Sequence, residues 1–299
     1  MIGVLPDLLL AALVLGSIYA LFAVSLNIVW SMANVVNIGH GEVLTLGAYG
    51  SLVVVNAGVL LPVGFVLLGV VTTIVSIAFY LVLLWALRER DLHYGSLLVT
   101  WGVSLSLFAI IRLVFSTDFQ SVGILRGPVD LGFVRTTQAA LVVLVAAGLT
   151  SGGLALMIQR TPLGRSMRAI AADADLAASV GINVRVVRTT AFVLGILLAV
   201  VAGVLLSTLY VFYPLVGQLF IIKAVAIVLV AGLGRLWWTW AAGVGLGIVE
   251  TLVQFQIGAQ VSDLVAYTVL ILVLLLRRND IARLLRSLPG VARKSYGPA

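Results

Sequence analysis

Six side chains that can carry charge or strong hydrogen bonds interrupt otherwise apolar stretches: Asn34, Asn37, His40, Glu42, Lys223 and Glu250. Groups of this kind are costly at membrane depth, where they face a transport pathway or a buried partner. Gly39 and Gly41 flank His40 and permit an unwound or tightly packed turn there. Lys223 can pair with Glu42 or with Glu250, and the sequence leaves both pairings open. It also leaves open whether the six residues line a pathway, relay protons or ions, or lock helices together. Metal chemistry has no support, because His40 and scattered carboxylates give no ligand spacing. There are no cysteines, so thiolate sites and disulfides are excluded. No P-loop, nucleophile-elbow or HExxH pattern occurs. No cofactor is implied, and if ATP is used another chain binds it.

A second group of charges lies between Arg160 and Arg188, with five arginines and two aspartates. Thr161-Pro162 reads as a hydroxyl N-cap followed by proline at the first helical position, and Gly181 reads as a stop. Leu163, Met167, Ile170, Ala171, Ala174 and Ala178 recur at three- and four-residue spacing, so the spacing predicts one helix over 162–181. In such a helix Arg165 and Arg168 lie towards the N-terminal end, and Asp173 and Asp175 lie in the C-terminal half. Each placement opposes the dipole, at about 0.3–1 kcal/mol when exposed. No arginine–aspartate pair falls at i,i+3 or i,i+4 to offset this. Charges so placed suggest complementarity to another surface. The competing reading is a solvated loop whose arginines set topology.

The elements that must position these residues are membrane helices. The chain has 299 residues, 62% hydrophobic and 10% charged, with a mean hydropathy of +1.23. Soluble domains carry about 25% charged residues, so the class is an all-α, polytopic membrane protein, a single transmembrane domain over 1–299. The apolar runs are continuous rather than alternating, which argues against a β-barrel. Candidate spans are 8–31, 37–56, 62–87, 94–116, 136–158, 190–210, 219–233, 240–257 and 262–276, giving an expected eight to ten transmembrane helices. The run 219–233 is short and contains Lys223, so a broken or re-entrant segment is one reading. Pairs of glycines at 148 and 152, 195 and 203, and 232 and 234, with Gly243, Gly245 and Gly247, allow close helix packing.

Most basic residues fall in three places: Arg88 and Arg90, the loop 159–189, and the tail 277–299 with Arg277, Arg278, Arg283, Arg286, Arg293 and Lys294. Even numbers of spans separate them, so all three share one side. The positive-inside rule makes that side the cytoplasm. The N-terminus then lies outside and the C-terminus inside. The N-terminal MIGVLPDLLL has no basic run, so it does not read as a cleaved signal peptide. The segment from Ile281 to Leu288 reads as basic and amphipathic, suited to an anionic leaflet. The net charge of +7 is spread between spans rather than gathered in a basic domain, so nucleic acid is not a partner.

Three stretches stand out together. Tyr19-Ala-Leu, Asn37-Ile-Gly-His-Gly-Glu42 and Leu46-Gly-Ala-Tyr49 form the first. Leu163-Gly-Arg-Ser-Met-Arg-Ala-Ile170 through Gly181-Ile-Asn183 forms the second. Lys223-Ala, Leu233-Gly-Arg and Gly247-x-x-Glu250 form the third. Together they resemble the permease subunits of branched-chain amino acid ABC importers of the LivH type. The resemblance covers nearly the whole chain and implies an ABC importer permease fold with no catalysis of its own. It implies two cytoplasmic ATPases, an extracytoplasmic solute-binding protein, and a second permease that is LivM-like or a second copy. It places the chain in the inner membrane of a prokaryote. The loop is similar to the family's coupling loop, which implies ATPase contact by Thr161, Pro162, Leu163, Gly164, Arg165, Met167, Arg168, Asp173, Asp175 and Gly181. Asp175 to Gly181 has the spacing of the family's docking signature, with Leu176 where alanine is usual. The substrate implied is a branched-chain amino acid, with urea or short amides as the alternative in the same class. An ion-coupled secondary transporter using Glu42, Lys223 and Glu250 is the rival reading.

Overall fold

The computed structural model describes residues 5–87, 92–132 and 134–258, and single positions between 261 and 275. Arg88 to Asp91, most of the candidate span 262–276 and the whole basic tail lie outside the described residues. The described chain is almost entirely helical, as the continuous apolar runs require. Its long helices are α1 (Leu5–Ser31), α2 (His40–Asn56), α3 (Leu61–Ala86), α4 (Leu92–Phe115) and α5 (Gln138–Arg160). Two short helices follow, α6 (Pro162–Ala172) and α7 (Ala174–Ser179), and then α8 (Val184–Leu209), α9 (Val216–Ala231) and α10 (Leu236–Gln256). A two-stranded antiparallel hairpin, β1 (Pro128–Asp130) and β2 (Arg135–Thr137), precedes α5.

Six of these helices are long and apolar enough to cross a bilayer: α1, α3, α4 from Gly95, α5, α8 and α10. The expected count of eight to ten is thus not confirmed among the described residues: six helices meet the criteria, α9 is a shorter apolar helix of 16 residues, and most of the candidate span 262–276 lies outside them. α2 has 17 residues, short of the roughly 20 that a perpendicular span needs. The run around Lys223 is one unbroken helix, not a broken segment.

α1 is buried along most of its length, packed against α8, α9, α10 and α5. Small residues make this possible. A Cβ on Gly247 would meet the backbone of Gly16, and one on Gly243 would meet Ala20, so α1 and α10 touch backbone to backbone. Gly203 approaches Leu44 and Gly195 approaches Ser25 in the same way, which ties α8 to α2 and α1. Gly148, Gly152 and Gly245 face open space, with no neighbour within 4 Å among the described residues. Gly232 and Gly234 have φ of 93° and 75°, so they shape the α9–α10 turn rather than a helix interface.

The two ends of the bundle are built differently. One end gathers Met32, Ala33, Tyr80, Leu83, Ile158, Met167, Ile170 and Val187 into a single apolar cluster, bringing together the ends of α1, α3 and α5, helix α6 and the start of α8. The α9–α10 turn joins the same end through Asn27. The other end carries the hairpin, where Arg135 N donates to Asp7 at 2.8 Å, and the bridge between Gln120 and Phe212. The outward faces of α3, α4 and α5 are apolar, with Val66, Trp85, Leu113 and Leu149 largely exposed, the surface expected of helices that contact hydrocarbon.

Candidate functional site

Lys223 pairs with Glu250, not with Glu42. Its Nζ donates to Glu250 Oε1 at 2.9 Å and Oε2 at 3.0 Å, and to Tyr19 Oη at 2.9 Å. Tyr19 in turn donates to Glu250 at 3.0 Å. Lys223 and Glu250 are each 4% exposed. The ammonium is 5.0 Å from the Tyr19 ring centroid, on the side of the hydroxyl that it bonds. Among the described residues the lysine pairs with this one carboxylate, and Tyr19 adds a hydrogen bond to each. The triad ties α1, α9 and α10 together.

Glu42 has a different environment. Its side chain is 1% exposed, on the first turn of α2. Ser104 Oγ donates to Oε1 at 3.1 Å and Gln218 Nε2 at 3.3 Å. Oε2 has no partner among the described residues. His40, two residues earlier and fully buried, holds Ser25 Oγ at 2.8 Å through Nε2 and stacks on Phe22, while Nδ1 has no partner among the described residues. A buried carboxylate oxygen and a ring nitrogen left unmatched are unusual in a folded interior. Asn37 is buried beside them, and Asn34 adopts φ 59°, a turn conformation that asparagine tolerates. The six polar positions therefore divide: a satisfied triad at Lys223 and Glu250, an under-satisfied cluster at His40 and Glu42, and a turn that delivers them.

The 32–39 connection is not helical, and its backbone needs partners wherever water is absent. α4 supplies them. Ser96 Oγ accepts from Val36 N at 3.1 Å, and Thr100 Oγ1 accepts from Ile38 N at 3.1 Å and donates to Val36 O at 3.1 Å. Ser96, Thr100 and Ser104 are spaced four residues apart, one face of a helix. Sequence reasoning missed this stripe, although hydroxyls recurring every fourth residue in an apolar run were a readable signal. It also missed Asn27. Asn27 accepts from Gly234 N at 2.8 Å and donates to Gly232 O at 3.2 Å and Thr239 Oγ1 at 2.6 Å, closing the α9–α10 turn on α1.

The polar loop is two helices, which corrects the single helix expected over 162–181. Thr161 caps α6, accepting from Gly164 N at 3.1 Å, with Pro162 at the first helical position. Asp173 leaves helical geometry (φ −160°, ψ 111°) and accepts from Asp175 N at 3.0 Å and Leu176 N at 2.9 Å. An aspartate that bonds the backbone ahead of it competes with helix continuation. Asp173 and Asp175 thus stand at the start of α7, where the dipole favours them. Arg168 donates to Ile158 O near the C-terminus of α5, also a favourable placement for a cation. Dipole opposition consequently holds for Arg165 alone. Gly164, Met167 and Ile170 form the buried face of α6, and a Cβ on Gly164 would strike Ile158. Leu163 is half-buried, while Pro162, Arg165 and Asp175 are exposed. Gly181 has φ 87° and ends the segment. Leu176 and Val180 are 65% and 72% exposed, an apolar pair at i,i+4 spacing with Asp175 and Arg165 on the same loop.

Residues 8–274 match the family model described as branched-chain amino acid transport system, permease component. BraD of Pseudomonas aeruginosa, described as a high-affinity branched-chain amino acid transport system permease protein, is 29% identical over 288 residues, covering 91% of this chain and 94% of that one. LivH of Escherichia coli, similarly described, is 29% identical over 282 residues, 89% of this chain and 92% of that one. A probable permease of the same type from Methanocaldococcus jannaschii is 26% identical over 262 residues, 83% of this chain and 81% of that one.

Proposed function

The chain belongs to the family of branched-chain amino acid transport system permease components, and from that premise we propose that it is the membrane subunit of an ABC importer for branched-chain amino acids in a prokaryotic inner membrane. The family consists of transport subunits rather than enzymes. The observation that carries the reading is the family match over nearly the whole chain, 8–274. Its partners are two cytoplasmic ATPases, an extracytoplasmic solute-binding protein and a second permease, LivM-like or a second copy.

Within this reading the α6–α7 segment is the contact with the ATPase. Buried Met167 and Ile170 fix it to α5 and α8, so a push on its outer side moves transmembrane helices. Arg165, Asp175, Leu176 and Val180 are the exposed groups that meet the ATPase. This segment and the α9–α10 turn lie on the cytoplasmic side, and the N-terminus lies outside. The under-satisfied pair His40 and Glu42, with Asn37, borders the transport pathway. Lys223 and Glu250 hold the helices that surround it. The satisfied triad favours this division over an ion relay through Lys223 and Glu250.

Affinity purification of the tagged chain from its own host tests the assembly. The expected result is co-purification of a P-loop ATPase, lost with Arg165→Glu combined with Leu176→Glu. Retention of the ATPase by that double variant would overturn the contact assigned to α6–α7. A reporter fused near Met1 that proves cytoplasmic would overturn the orientation.

A further inference from the structure

α3 is held to the bundle at both ends, and between them Leu68 packs on Gly50 of α2. At one end Gly64 meets Val54 of α2, and at the other Phe79 and Tyr80 pack on Phe192 of α8, with ring centroids 6.0 and 4.8 Å apart. Between these contacts lies a cavity of about 730 Å³ bounded by α2, α3, α4 and α8. From Gly64 to Phe79 it follows α3 for roughly 22 Å at 1.5 Å per residue, so it is a long slot parallel to a spanning helix.

Three properties decide what can fill it. No charged residue lines it, and its walls are mostly aliphatic. Its polar side chains are Asn37, Tyr49, Thr72 and Ser76; Ser76 Oγ already donates to Thr72 O at 2.6 Å, and Tyr49 Oη has no partner among the described residues. A zwitterion would lose the hydration of two charges with no counter-charge in the walls, at several kcal/mol per ion. Four polar side chains spread over so long a slot do not give a file of ordered waters the two to four polar partners each needs. The slot also opens sideways. Leu67, Val71 and Val75 line it and are 55%, 57% and 60% exposed. Beside them Val66, Val70 and Ile74 form an exposed apolar face, so the slot is continuous with the surface that α3 turns to the bilayer.

We propose that this slot is a lipid site that takes one acyl chain of a bilayer phospholipid, lying along α3 as a wedge between it and α2/α8. The proposal rests on α3 crossing the membrane and not on which substrate is carried. The chain's apolar walls meet apolar groups, and its axis runs with the slot because both follow the membrane normal.

The test uses the full chain in nanodiscs of phosphatidylcholine carrying a diazirine on one acyl chain, with labelled residues mapped by mass spectrometry. The slot-facing stripe Leu68, Val71 and Thr72 is expected to be labelled along with the outward stripe Val66, Val70 and Ile74. Val71→Trp, which fills the mouth, is expected to abolish labelling of Leu68 and Thr72 and leave Val66 labelled. Wild-type labelling confined to the outward stripe would overturn the proposal, and that readout needs no variant to fold. Cross-links from Leu68 or Thr72 to a second protein chain, or labelling of both by photoactivatable free leucine in place of lipid, would overturn it in favour of those occupants. Failure of ATPase co-purification would leave these readouts unaffected, so the two readings fail separately.

Discussion

At the scale of single residues, the intramembrane charges are of two kinds. Lys223, Glu250 and Tyr19 satisfy one another at about 3 Å, and breaking a buried pair by removing one partner costs about 3–5 kcal/mol. Lys223→Met is therefore expected to lower the melting temperature of the detergent-solubilised protein sharply. Adding Glu250→Gln should restore much of the loss, since the orphaned charge is then gone. A double variant no more stable than Lys223→Met would show that the charge pair is not the source. Glu42 differs because one of its oxygens is already unmatched. Glu42→Gln keeps the shape and a hydrogen-bond acceptor for Ser104 and Gln218, so stability should change little while uptake by the assembled importer falls. Unchanged uptake would remove Glu42 from the pathway. The sequence marked all four ionisable residues as unusual for their depth. It left the pairing open because Lys223 and Glu250 are 27 residues apart, on different helices, and their common partner Tyr19 is 231 residues from Glu250.

At the scale of elements, caps and small residues decide the geometry. Thr161, Pro162 and Gly181 were readable as boundaries, and the structure uses each of them so. Asp173 was misread because it lies inside a good apolar stripe. Its carboxylate captures two backbone N–H groups ahead of it, and that local bond outweighs continuation of the helix. Asp173→Ala removes a cap worth about 1 kcal/mol. It should speed amide hydrogen exchange in α7 while leaving α5 and α8 protected. Exchange at Leu176 no faster than in the parent would refute the cap. The glycines divide similarly. Gly247→Val places a side chain against the Gly16 backbone, which cannot retreat, and overpacking of this kind costs upward of about 1–3 kcal/mol. Gly245→Val, two residues away and facing open space, should be tolerated. Equal melting temperatures for the two variants would contradict the α1–α10 contact. Both glycines look alike in sequence, since the face a helix turns to its neighbour depends on a partner that local pattern does not name.

At the scale of the whole molecule, composition already specified a helical membrane protein, and the bundle gathers the ends of α1, α3 and α5, helix α6 and the α9–α10 turn together. The span count was less legible, because α2 and α9, at 17 and 16 residues, fall short of the usual span length and hydropathy alone does not say whether such a helix crosses. The family match over 8–274 makes the chain a permease component, and its drive by separate ATPases is the proposal to be tested. The most direct test is radiolabelled leucine uptake into proteoliposomes that contain this chain with its co-purified partners and the binding protein. The account predicts uptake that requires ATP on the ATPase side, is competed by isoleucine and valine but not urea, and is lost on Arg165→Glu with Leu176→Glu. Uptake by this chain alone, driven by an ion gradient without ATP, would contradict it.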